Sequence, residues 1–192
     1  MRYDPPRPAG RLLLTPEDTE APARARRLRR LGLGDRTDPA LDAFADRLAE
    51  ATGAPYAMVN FLDEQGQFFA GLRRPAAGPH RKADGTSPQV GRNLPRDHGF
   101  CPHVVARGKA LVLEDVLDYP RFAGNPAVDE FGFRSYLGAP LIDSTGMVLG
   151  TVCVVDVAPR SWGKAGLEAI KASAAELVAR LERREADGLP AL

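Results

Sequence analysis

Two apolar runs that double back on themselves limit what this chain can fold into. Tyr56–Leu62 leads through Asp63-Glu64-Gln65-Gly66 into a second run ending near Leu72; Ser135–Ile142 leads through Asp143-Ser144-Thr145-Gly146 into Met147–Val157. Connections this short join antiparallel neighbours, and the Asp, Ser and Gly residues supply the side-chain acceptors and φ freedom that tight turns require. A doubly wound parallel sheet needs a long crossover between strands and is therefore excluded. Another strand is predicted over Ala110–Val116.

Helical spacing accounts for much of the rest. Ala25, Leu28 and Leu31 share one side of a helix over Pro22–Leu31, stopped by Gly32 and Gly34. Thr37, Asp38 and Pro39 suit the start of another, with Leu41, Phe44, Ala45 and Leu48 on one face and Thr52-Gly53 at its end. A short helix is expected between Phe100 and Gly108, and a long one carries Leu167, Ile170, Ala174, Leu177, Val178 and Leu181. The predicted class is α+β: a central antiparallel sheet of five or six strands, with N- and C-terminal helices on one face and loops and short helices over a pocket on the other.

At 192 residues the chain suits one domain with tails. Residues 1–21, rich in Pro, read as a flexible tail; 22–186 as one domain opening with the basic helix; 187–192 as a second tail. Residues 73–97, rich in Pro, Gly and charge, are too long for an ordinary connection and suggest a lid over a pocket. The 26 basic and 25 acidic residues argue against nucleic acid as a partner. Nine arginines against five acids over residues 1–36 leave a local basic bias, read as a solvated helix face that serves a dimer or partner helix. No apolar stretch nears the roughly 20 residues that span a bilayer, so no membrane association and a cytoplasmic location are expected.

Two cysteines are too few for a secreted disulfide framework or a Cys-rich zinc site. Cys101 precedes Pro102 at a predicted helix N-terminus, where N–H groups favour a thiolate; it also reads as a small core residue beside Phe100. Cys153 lies in an apolar strand, and a Cys101–Cys153 disulfide is a hypothesis for the sole thiol pair. His98, Cys101 and His103, with Asp97 adjacent, match no standard metal spacing, so no metal is expected. Cys101 and His103 stand two apart on a helix and face different ways, a poor nucleophile–base pair. Asp118 is expected to cap a turn, braced by Arg121, while Asp115 and Asp156 lie near strand ends and Asp115 keeps interest as a pocket residue. Phe133, Arg134 and Tyr136 combine a fixed cation, aromatic faces and a hydroxyl suited to an anionic or planar ligand, or else close the sheet edge as an aromatic cluster. Neither a Gly-rich phosphate loop nor a Ser-His-Asp pattern is present.

Taken in order, Arg29-Arg30-Leu31-Gly32, Val59-Asn60-Phe61-Leu62-Asp63, Phe100-Cys101-Pro102-His103, Asp118-Tyr119-Pro120-Arg121-Phe122, Tyr136-Leu137-Gly138-Ala139-Pro140-Leu141 and Leu149-Gly150-Thr151-Val152-Cys153-Val154-Val155-Asp156 resemble a GAF domain over about residues 25–182. The resemblance is closest to the type found in bacterial sensor kinases and diguanylate cyclases, where this domain senses and another acts. It implies a small-molecule-sensing or regulatory module without catalysis of its own, signalling to a protein in trans and dimerising through its terminal helices. The candidate ligand-binding residues are Phe100, Cys101, His103, Asp115, Phe133, Arg134 and Tyr136. The Asn-Lys…Phe…Asp-Glu signature of cyclic-nucleotide-binding members is represented only by Phe122 and Asp129-Glu130 at the wrong spacing, and the bilin motif is missing around Cys101. The ligand is thus left open, with neither nucleotide, bilin nor metal indicated. One alternative is a free methionine sulfoxide reductase on the same fold, using Cys101 and Cys153, although no Cys occurs between Asp118 and Asp129 where that family's catalytic residue is expected. Another is a ligand-free dimerisation scaffold in which Phe68, Phe100 and Tyr136 fill the sheet face.

Overall fold

The computed structural model describes residues 15–76 and 89–188. Parts of the two predicted tails (1–14 and 189–192) and of the predicted lid (77–88) lie outside the described residues. Strands β1 (Tyr56–Leu62), β2 (Gln67–Arg73), β3 (Asn93–Leu94), β4 (Leu111–Leu113), β5 (Ser135–Ile142) and β6 (Val148–Asp156) form one antiparallel sheet in the order β3-β2-β1-β6-β5-β4. The two hairpins meet through β1 and β6, with Met58 opposite Cys153 and Asn60 opposite Thr151. The second hairpin's turn is held by Asp143, whose Oδ1 accepts from the Thr145 and Met147 N–H groups.

Strand alternation divides the sheet into two cores. On the first face, Ala57, Val59, Phe61, Leu137, Ala139, Val152 and Val154 are covered by α1 (Ala21–Leu31), α2 (Pro39–Thr52) and α6 (Gly163–Ala186). Asp38 caps α2 by accepting from Ala40 N–H at 2.7 Å, and Pro39 supplies a first-turn residue that needs no donor. Gly71 admits α2 to β2: a Cβ there would lie 2.3 Å from the Leu41 carbonyl oxygen. The second face carries Tyr56, Met58, Tyr136, Cys153 and Val155 beneath the short helices α3 (Cys101–Arg107), α4 (Pro120–Ala123) and α5 (Pro126–Phe131).

Four sequence expectations need correction. The predicted Ala110–Val116 strand is confined to Leu111–Leu113, because Asp115 turns the chain into a 3-10 turn, Val116–Asp118. The capping carboxylate there is Asp115, which accepts from Leu117 N–H at 3.1 Å, rather than Asp118. Strand β3, the sixth strand, falls within the 73–97 segment predicted as a lid. The arginine face of α1 is only partly solvated: Arg26, Arg29 and Arg30 are exposed, but Arg24 is buried, donating to the Leu62 carbonyl at 2.9 Å and pairing with Asp18. Asp18 also pairs with Arg96 at 3.1 Å. Among the described residues no helix is long and apolar enough to cross a membrane.

Candidate functional site

The second core carries a stripe of polar groups along the sheet. Asn60 on β1 and Thr151 on β6 are fully buried neighbours across the sheet, and Cys153 follows two residues along on the same face. Tyr136 reaches this stripe because β5 has Gly138 two residues later. A Cβ at Gly138 would fall 2.2 Å from the Tyr136 Oη, so the absence of one lets the phenol lie along the strand. Its Oη consequently stands 3.4 Å from Cys101 Sγ, which projects from the first turn of α3. Cys101 Sγ is in turn 3.7 Å from Cys153 Sγ, and Cys153 Sγ is 3.8 Å from the Met58 sulfur.

Hydrogen bonding makes the two thiols unequal. A thiolate on Cys101 is favoured first by the Cys153 thiol and then by Thr151, Tyr136 and Asn60, against the cost of burial, so its pKa lies below the ordinary thiol value. Cys153 is pushed up by its hydrogen bond to Cys101 and then by burial; burial chiefly pushes up Tyr136. The two thiols titrate as a pair, and a second charge beside the first is disfavoured. Asn60 donates to Gln67 Oε1 at 2.9 Å, and Gln67 donates to the Pro95 and His98 carbonyls at 2.8 and 2.6 Å. This chain of bonds ties the stripe to the loop before α3. Asn60 Oδ1 and Thr151 Oγ1 are buried without a hydrogen-bond partner.

The predicted site residues separate into three groups. Phe100, Cys101 and Tyr136 come together, with the Phe100 and Tyr136 rings edge-to-face at 5.2 Å. Phe133 belongs to the same core, edge-to-face with Tyr56 at 5.4 Å. His103 is buried on α3, with its ring edge-to-face with Phe122 at 4.9 Å. Burial first, then the Arg121 and Arg107 charges, pushes its pKa down to about 4. Asp115 and Arg134 instead make a two-point ion pair outside this core, with contacts of 2.9 and 2.5 Å. His98 faces Asp97 at 2.9 Å and Glu130 at 3.5 Å rather than Cys101. Sequence reasoning missed Asn60, Thr151 and Met58. The available signal was an isolated polar residue within each of two apolar strands, at positions that alternation assigns to one face.

A separate groove of about 520 Å³ lies on the first face, where Pro140, Ile142 and Ala110 meet Leu167, Lys171 and Ala175 of α6. None of the seven predicted ligand-binding residues lines it.

Comparison with known proteins agrees with this architecture. A family model described as GAF domain matches residues 36–181. A cyclic di-GMP phosphodiesterase of Pseudomonas aeruginosa is 35% identical over 133 residues, covering 67% of this chain but 20% of that protein. The chain thus spans about a fifth of this curated relative's length. The GAF domain of an Acinetobacter phosphoenolpyruvate-protein phosphotransferase is similar in structure, with a TM-score of 0.57, 17% identity and coverage of 90% of this chain and 99% of that one. A free methionine-R-sulfoxide reductase from Neisseria meningitidis, in complex with its substrate, gives 0.56 with 20% identity and covers 87% and 93%. The PixJ GAF domain of Thermosynechococcus elongatus gives 0.56 with 15% identity and covers 85% and 89%. At these identities the structural likenesses speak to fold alone.

Proposed function

The chain belongs to the GAF domain family, and from that premise we propose that it is a small-molecule-sensing regulatory module that signals to a protein in trans and catalyses no reaction itself. The observation that carries this reading is the buried pair Asn60 Oδ1 and Thr151 Oγ1, unpartnered beside the Cys101–Tyr136 contact. A buried polar atom without a partner costs about 1–3 kcal/mol, so a ligand donating to both would recover part of that cost. Phe100 and Tyr136 supply aromatic surface for its apolar part. Gly99 and Gly108 bracket α3 in left-handed conformations (φ 74° and 58°), giving the helix a pivot at each end for admitting a molecule. Similarity to part of a cyclic di-GMP phosphodiesterase supports a partner in cyclic-dinucleotide signalling. The terminal helices α1 and α6 supply the surface for a homodimer, and a cytoplasmic location fits this role.

Native mass spectrometry of the full chain as purified, compared with its denatured mass, tests the proposal. A noncovalent increment, diminished in Asn60→Ala and Thr151→Val, is expected. Bare wild-type protein that gains no thermal stability from a metabolite extract would overturn it. A second reading, reduction of free methionine sulfoxide, is favoured only by the 3.7 Å thiol pair. Its requirement is thiol-dependent turnover that disappears in Cys101→Ser; a wild-type protein without turnover ends it.

A further inference from the structure

The chain has two thiols, and the fold brings both to one place although 51 residues separate them in sequence. If they were merely small core residues, apolar neighbours would suffice on every side. Instead Tyr136 Oη is 3.4 Å from Cys101 Sγ, and Cys153 Sγ stands 3.7 Å from the same sulfur. Cys153 has the Met58 sulfur at 3.8 Å, an environment that favours a neutral thiol. The positions differ too: Cys101 heads a seven-residue helix and is 5% exposed, while Cys153 lies in the central strand β6 at 1%. The outer thiol, under a short helix rather than within the sheet, is therefore the one an oxidant reaches first.

We propose that Cys101 and Cys153 form a reversible redox dithiol, oxidised by a hydroperoxide to a disulfide that fastens α3 to the sheet. Brief lifting of α3 about Gly99 and Gly108 admits the oxidant. The Cys101 thiolate attacks one peroxide oxygen: an S–O bond forms, the O–O bond breaks, and the leaving hydroxide or alkoxide takes up the proton lost by the thiol. The Cys153 sulfur then attacks the resulting sulfenic acid. An S–S bond forms, the S–O bond breaks, and the departing hydroxide leaves as water with the Cys153 proton. Two thiols lose two electrons and two protons, and hydrogen peroxide becomes two waters. A small thiol reductant reverses the change by exchange. Closing the bond requires the sulfurs to move from 3.7 Å to roughly 2.05 Å, a displacement that draws the start of α3 towards β6.

The test uses the full chain, reduced, desalted and kept folded during exposure to hydrogen peroxide. Catalase stops the reaction before the protein is unfolded in iodoacetamide and weighed intact. The expected product is a monomer lighter by two hydrogens, with neither thiol alkylated and both recovered after dithiothreitol. Cys153→Ser should retain oxygen on Cys101, Cys101→Ser should stay unchanged at the same dose, and Tyr136→Phe should slow oxidation roughly twofold at neutral pH by removing a donor to the thiolate. Two alkylated thiols after peroxide treatment of wild type would show inert core residues and overturn the proposal. So would oxygen retained on Cys101 with Cys153 free, or a disulfide between two copies. These outcomes concern wild-type thiols, whereas failure of the sensing proposal is read from the noncovalent mass.

Discussion

The two faces of the sheet use the same strands for different purposes. On one side, Ala57, Val59, Leu137, Val152 and Val154 meet α2 and α6, helices of 14 and 24 residues that bury continuous apolar stripes. On the other, covers of 7, 4 and 6 residues lie over aromatic rings, two thiols and a row of buried polar groups. Such short helices are unstable in isolation and depend on their contacts and ends. Each begins with proline in its first turn, and α5 is additionally capped by Asn125. The contrast separates a stabilising core from a locally more adjustable, chemically varied one.

Truncation on the helix-covered face offers the largest test. Leu137→Ala, at a fully buried position, should cost about 3 kcal/mol, read as a lower urea midpoint. A loss below about 1 kcal/mol would remove the distinction drawn for that core. On the other face, Asn125 accepts from Gly99 and Ala127 N–H groups and donates to the Gly99 carbonyl. Asn125→Ala should cost about 1–2 kcal/mol and accelerate hydrogen exchange in α3 and α5. Equal acceleration in α2 and α6 would show one cooperative unit in place of two. A third test is a pH slope. His103 has a folded pKa near 4 against an ordinary value of 6.5, so the unfolded chain binds more protons between them. Stability should therefore fall as pH drops from about 6.5 to 4, then cease to depend on His103; His103→Gln should flatten that part of a urea-midpoint profile.

What could be read beforehand was local. The turn at Asp143 and the cap at Asp38 are written in neighbouring residues, and the Ser135–Ile142 strand has its expected limits. Strand β3 was obscure because two residues pair only when a distant segment reaches β2, with Gln67 opposite Leu94. Arg24 read as solvated because its carbonyl partners, Leu62 and Val148, lie far along the chain. Cys101 and Tyr136 stood out by residue type, but their contact depends on Gly138 and on the docking of α3. Asn60 and Thr151 appeared as breaks in apolar runs, whereas their pairing needed the register between β1 and β6.

Arg27 gives the ends of the domain a mechanical relation. Its guanidinium spans Asp143 in the β5–β6 turn at 2.8 Å and Glu185 near the end of α6 at 2.5 Å, while Glu182 accepts from Ser144 N–H at 2.6 Å. The hairpin tip is thus a common fulcrum for α1 and α6, and β6 is the shaft that runs from it past Cys153. A displacement of either helix end therefore bears on the same turn that holds the other.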